Sequence, residues 1–128
     1  MPTDWGVGAR FTMGSKITDE EFTGGQAKRE KITERMNELL GDDGLLITPT
    51  VPDIAPLKDS SKEFFAAFRD QALSILCPAG LARLPQISLP VTSLNGAPLG
   101  LSIVGPHGQD EFLLGIARGL ADALDVRA

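Results

Sequence analysis

Between Thr18 and Gly41 the apolar positions Phe22, Ile32, Met36, Leu39 and Leu40 fall at helical spacing and gather in the second half of the stretch. Thr18 and Glu21 have the spacing of a capping box at its start, and Gly41 stands where a helix ends. The intervening Lys28, Arg29, Glu30, Lys31, Glu34 and Arg35 read as a solvated face. A second helix is predicted from about Lys62, where Phe64, Phe65, Phe68, Ala72, Leu76 and Ala79 recur every three to four residues. Ser60 and Glu63 have capping-box spacing before it, and Pro78 is expected to kink or end it. A third helix starts near Asp110, with Phe112, Leu113, Ile116, Leu120 and Leu124 facing a core and Asp110 and Glu111 at its positive end.

Elsewhere the apolar period shortens to two. Ile87, Leu89 and Val91 alternate with Ser88 and Pro90, the pattern of a strand with one buried face; Pro85 and Pro90 confine its hydrogen bonding to the piece between and just after them. Asn95-Gly96 supplies the left-handed backbone of a tight turn, and Leu99, Leu101 and Ile103 form the next strand. Gly100 and Ser102 are small on its other face, which lets another backbone or a helix approach closely. Leu45 to Ile47, bracketed by Gly44 and Pro49, read as a short buried strand. Pro49, Pro52 and Pro56 then stiffen an extended loop that cannot join a central sheet, and residues 1–16, with Gly6, Gly8 and Gly14, read as irregular. The order helix, strand, helix, two strands, helix predicts an α/β fold, a mixed sheet with packing helices, as a single unit over 1–128.

Composition narrows the function classes. The 128 residues are 42% hydrophobic and 23% charged, with a net charge of −5 spread over mixed-sign helices. No basic patch could neutralise phosphates, so nucleic acid is not an expected partner. No apolar run approaches the roughly 20 residues that span a bilayer, and no basic-then-apolar leader follows Met1, so no membrane or secretory role is expected. The single cysteine, Cys77, rules out an internal disulfide and fits a reducing, cytoplasmic setting.

The run from Leu84 through Pro85, Ile87, Ser88, Leu89 and Pro90, then Gly96 to Gly105, resembles the C-terminal part of amidase signature enzymes, which hydrolyse carboxamides with a Ser–Ser–Lys apparatus. Upstream, Asp43 to Thr50 followed by Ala55-Pro56 is similar to that family's strand-then-Pro-Thr segment. Downstream, Gly105 to Gly108 and the helix from Asp110 resemble its last strand-to-helix connection, and the ending His107 to Leu114 is most like the indole-acetamide hydrolase-like branch. The ordered landmarks run from about Ile17 to about Leu124. Family members are several times longer and carry their catalytic serines in a Gly/Ser-rich run with the lysine further upstream; this chain holds neither, so no residue here is assigned as catalytic. Ser60-Ser61-Lys62 spells the three residue types, but consecutive residues cannot reproduce groups drawn from distant strands and loops, and the run reads as a helix start.

The resemblance implies a C-terminal amidase segment supplying scaffold and part of the acyl pocket and inactive alone. Thr48 and Thr50 follow a strand where sites on α/β sheets lie, and with Cys77 they are the expected pocket-wall residues. Leu73, Ile75 and Leu76 nearby favour an apolar, aryl-acetamide-like acyl group. Arg83 stands where the family usually has glycine, so altered local geometry is expected there. No organic cofactor or metal is implied: a zinc site needs three or four ligands, and His107 and Cys77 supply two. A Cys77–His107 dyad lacks an orienting acid, and Asp110 and Glu111 would repel an anion from the Gly105–Gly108 loop. Two other readings remain: a non-catalytic binding or interaction module on the same scaffold, and a small independent hydrolase using Cys77 or a loop serine. In either amidase-derived case, strands apolar on more than one face imply a homo-oligomer or a partner chain carrying the catalytic core.

Overall fold

The computed structural model describes residues 7–125. Four helices, α1 (Val7–Gly14), α2 (Asp19–Leu40), α3 (Lys62–Ala82) and α4 (Asp110–Ala123), accompany three strands, β1 (Leu46–Pro49), β2 (Gln86–Leu94) and β3 (Ala97–Val104). The strands form one antiparallel sheet in the order β1-β3-β2. Residues paired across a ladder share a face. Ile47, Ile103 and Ile87 therefore point to one side, and Thr48, Ser102 and Ser88 to the other.

Each face has its own cover. On the isoleucine side Leu89 and Ile103 pack with Leu113 and Ala117 of α4, with Ile87, Val91 and Leu120 partly buried around them. On the opposite side Val104 and partly buried Leu46 meet Met36 and Leu40 of α2, Ala79 and Ala82 of α3, and Leu84. The small alanines of α3 let its last turns sit close against α2, and the Arg29 Nε–H donates to the Leu81 carbonyl at 2.9 Å across that contact. The core is therefore split by the sheet into two modest clusters.

The α2 start is the capping box expected at Thr18. The Thr18 N–H and hydroxyl donate to the Glu21 carboxylate at 2.9 and 3.1 Å, and the Glu21 N–H donates back to the Thr18 hydroxyl oxygen at 3.2 Å. The Thr18 backbone N–H, followed by its hydroxyl, holds the Glu21 carboxyl below the ordinary range. Asn95 and Gly96 both take positive φ, 53° and 79°, and the hairpin closes with Leu94 opposite Ala97, as the two-residue turn requires.

Other expectations are corrected. Residues 7–14 are helical, not irregular; the same expectation for residues 1–6 lies outside the described residues. Ser61, not Ser60, caps α3: its hydroxyl accepts from the Phe64 N–H at 3.1 Å, which places Glu63 one residue too early for a reciprocal box. Ser61→Ala is expected to cost about 1 kcal/mol and Ser60→Ala less than about 0.5 kcal/mol, compared by thermal melts of the two variants. Pro78 does not end α3, which continues to Ala82 because burial of Ala79 and Ala82 against α2 outweighs one lost hydrogen bond. Pro90 lies inside β2, whose pairing runs between and just after the two prolines; the ladder shifts register between Leu89 and Thr92, and the bulge absorbs the residue without an N–H. β1 is an edge strand that includes Pro49, with Ile47 57% exposed, so it is not a buried strand within this chain. In the helices, Phe22, Leu39, Phe112 and Leu124 are exposed instead of facing a core.

Candidate functional site

The Thr-Pro-Thr run sets the site by its spacing of two. Thr48 lies opposite Ser102 in the β1–β3 ladder, and the Thr50 N–H continues the pairing by donating to the Gly100 carbonyl at 2.9 Å. Both threonines therefore share the face that carries Gly100, Ser102 and Ser88. Thr50 Oγ1 lies 2.6 Å from Ser88 Oγ and 2.9 Å from Ser102 Oγ, so one hydroxyl from the end of β1 leans across β3 to reach β2. Gly100 makes this possible. A Cβ there would stand 2.7 Å from both Ser88 Oγ and Thr50 Oγ1. The small face expected on β3 therefore admits side-chain hydroxyls rather than another backbone or a helix.

Proton counting orients this cluster. Three hydroxyls joined by two hydrogen bonds leave one O–H over. Ser102 is 0% exposed, and leaving its proton unmet would cost about 1–3 kcal/mol. Ser102 therefore donates to Thr50, and the surplus O–H lies on the more exposed part of the cluster, at Thr50 or Ser88. A donor at the end of such a chain is polarised by the bonds behind it. Beside the cluster, Thr48 Oγ1 is buried without a hydrogen-bond partner. The arrangement can hold a hydrogen-bond acceptor and fix the start of the 50–61 loop. By itself it holds no activated nucleophile, since no base is bonded to any of the hydroxyls among the described residues.

The remaining sequence-derived residues make no described hydrogen bond to this cluster. Cys77 is exposed on α3, and no described hydrogen bond joins it to the threonines. Ser61 is spent on the α3 cap, and Lys62 borders an apolar hollow with Phe65, Ala66 and Arg69. His107 is exposed at a polar cleft with Asn37, Asp42 and Gln109, in a loop turned by Gly108 at φ 73°. Among the described residues no three His, Cys, Asp or Glu side chains gather as metal ligands. Arg83 occupies the left-handed C-cap of α3 at φ 58°, the conformation a glycine would take without strain. Ser88, Ser102 and Gly100 are cluster positions that pattern reading did not assign to a site. Their signal was present as three small residues on the polar phase of two paired strands.

The sequence that folds this way matches a known family model. The model described as Amidase covers residues 6–114, and the chain belongs to that family. It is 36% identical over 111 residues to Amidase 1 of Oryza sativa subsp. japonica, covering 87% of this chain and 25% of the relative. It is 29% identical over 123 residues to the translocon at the outer membrane of chloroplasts 64 of Pisum sativum, covering 95% of this chain and 21% of that protein. The solved structure of 6-aminohexanoate cyclic dimer hydrolase complexed with substrate superposes with a TM-score of 0.66 at 29% identity, over 86% of this chain and 26% of that one. The chain thus spans about a quarter of the length of the relatives it matches.

Proposed function

We propose that this chain acts as the C-terminal segment of an amidase that hydrolyses carboxamide C–N bonds to acid and ammonia. The observation that carries this reading is the match of nearly the whole chain to one quarter of amide-cleaving relatives, combined with the lack of any Gly/Ser-rich nucleophile run in its 128 residues. In the complete enzyme a serine from the remaining portion attacks the amide carbonyl, with lysine as the base. The tetrahedral intermediate expels ammonia, and water then releases the acid. This segment contributes the sheet, its covering helices and part of the acyl pocket, walled by Thr48, Thr50 and Cys77. The aliphatic run Leu73, Ile75 and Leu76 favours an apolar, aryl-acetamide-like acyl group. The reading needs no cofactor or metal and puts the enzyme in the cytoplasm.

The purified chain is expected to release no ammonia from phenylacetamide or acetamide above the buffer rate. Turnover abolished by Cys77→Ala or Ser88→Ala would overturn this and favour an independent hydrolase. The intact mass of the cellular protein carrying this sequence is the companion measurement. A mass several times 13.6 kDa, or a stable complex with a chain bearing the Gly/Ser-rich run, is expected.

A second reading, a non-catalytic interaction module, is favoured by the name of the pea relative, which is a translocon component. Among the described residues no helix is long and apolar enough to cross a membrane. This reading gains if the cellular protein is found without any catalytic portion, free or attached.

A further inference from the structure

Arg83 stands where the backbone favours a different residue. It ends α3 in the left-handed conformation, φ 58° and ψ 37°, which is strained for a residue with a Cβ. Its backbone N–H closes the helix by donating to the Ala79 and Gly80 carbonyls. Glycine would make the same cap without the strain, so the cap does not explain an arginine. What the arginine adds is its guanidinium.

That side chain lines a cleft of about 280 Å³ between α2 and the end of α3, together with Gln26, Arg29, Glu30, Thr33 and Glu34. The α2 members recur at three- and four-residue intervals and form one face of the helix. Arg29 is the anchored one. Its Nε–H donates to the Leu81 carbonyl at 2.9 Å, which fixes the plane of the fork and leaves the terminal N–H groups without a described acceptor. The partly buried Thr33 hydroxyl donates to the Arg29 carbonyl at 3.0 Å, which leaves its oxygen as an acceptor.

The charges of this cleft are balanced yet unjoined. Arg29 and Arg83 are positive, and Glu30 and Glu34 are negative. Among the described residues the one ion pair is Arg35 with Glu38, outside the cleft, so neither cleft arginine is paired with a carboxylate. Two guanidiniums lining one cleft favour an anion between them, and their planar forks match a carboxylate. Glu30 and Glu34, one turn apart on α2, would repel a bare anion and attract an ammonium. A ligand bearing both groups meets its opposite at each end, whereas a ligand bearing one of them also meets its own sign. The volume falls just below the roughly 300 Å³ at which sites for drug-sized molecules begin, which suits a short chain of a few heavy atoms.

We propose that this cleft binds a small zwitterion, with its carboxylate held by Arg29 and Arg83 and its ammonium turned to Glu30 and Glu34. The proposal stands apart from the amidase reading and does not depend on it. The probe is γ-aminobutyrate, titrated into the 128-residue chain at low salt and followed by NMR, with butyrate and butylammonium as its single-charge analogues. γ-Aminobutyrate is expected to saturate one site and to shift the Arg29 Nε–H resonance, and each analogue to bind at least about tenfold more weakly. Arg83→Gly is the deciding variant, because it removes one fork and relieves the left-handed backbone together. It is expected to melt no lower than the parent chain and to bind γ-aminobutyrate at least about tenfold more weakly. Glu30→Gln with Glu34→Gln is expected to abolish the preference for γ-aminobutyrate over butyrate. Binding that does not saturate, or that is unchanged in Arg83→Gly, overturns the site. Butyrate binding to the parent chain as tightly as γ-aminobutyrate overturns the zwitterion.

Discussion

Gly100→Ala is expected to destabilise the chain by about 2–4 kcal/mol and lower its melting temperature by roughly 10 °C. The added methyl would lie 2.7 Å from two oxygens, Thr50 Oγ1 and Ser88 Oγ, and 3.2 Å from Thr50 Cβ, so it meets the cluster from both sides. Thr50 must swing away, and the buried Ser102 hydroxyl then loses its acceptor. Removing one of the crowding oxygens with Ser88→Ala in the same chain should recover part of the loss, a non-additivity that separates a clash from a simple strand-propensity effect. Gly115→Ala is the control. Its Cβ meets open space on α4, and the change is expected to be neutral or to stabilise by up to about 1 kcal/mol. A Gly100→Ala chain that melts with the wild type would show that Thr50, Ser88 and Ser102 are not held as a unit.

Ile103→Ala is the other large effect, about 3–5 kcal/mol, a large share of the roughly 5–15 kcal/mol by which a domain is ordinarily stable. Ile103 sits on the central strand under α4, 1% exposed, among Leu89, Leu113 and Ala117. The cluster is small, and the sheet separates it from the α2–α3 side, so little can collapse into the hole. Its ladder partner Ile47 has the same side chain on the same face, but on the uncovered edge strand. Ile47→Ala is therefore expected to change stability by less than about 1 kcal/mol in the isolated chain. Urea titrations of the two variants decide this. Equal losses would mean that α4 covers the edge as well as the centre. In an assembly where a partner covers β1, the Ile47 effect is expected to rise toward that of Ile103.

Local chemistry was readable from the residues themselves. Thr18 and Glu21 specify a helix start because the partners are three residues apart, and Asn95-Gly96 specifies a hairpin because those two residues tolerate positive φ. The period of two across Ile87–Val91 and Leu99–Ile103 set the strands and their buried phase, and the ordered landmarks placed the chain in its family. The candidate site was half legible. The Thr-Pro-Thr spacing put two hydroxyls on one face, but no local rule says that Thr50 leans over Gly100 to join Ser88 and Ser102, residues that lie 38 and 52 positions away. That is a matter of strand order and register, which depend on contacts distant in sequence.

The departures have the same origin. Pro78 is a breaker by local rules, yet it is overridden by buried alanines, because packing acts on the whole element. The cap moved from Ser60 to Ser61 because the two candidates differ by one residue and only the entry path of the chain selects between them. An apolar stripe shows which face of a helix will be buried, not what will bury it. Phe22, Phe112 and Leu124 carry the pattern of a core and stand exposed. The sequence by itself determined three of the four helices, the three strands and the family. Only the tertiary structure decided which apolar faces this chain covers and which it leaves open, because burial depends on surfaces brought from elsewhere in space.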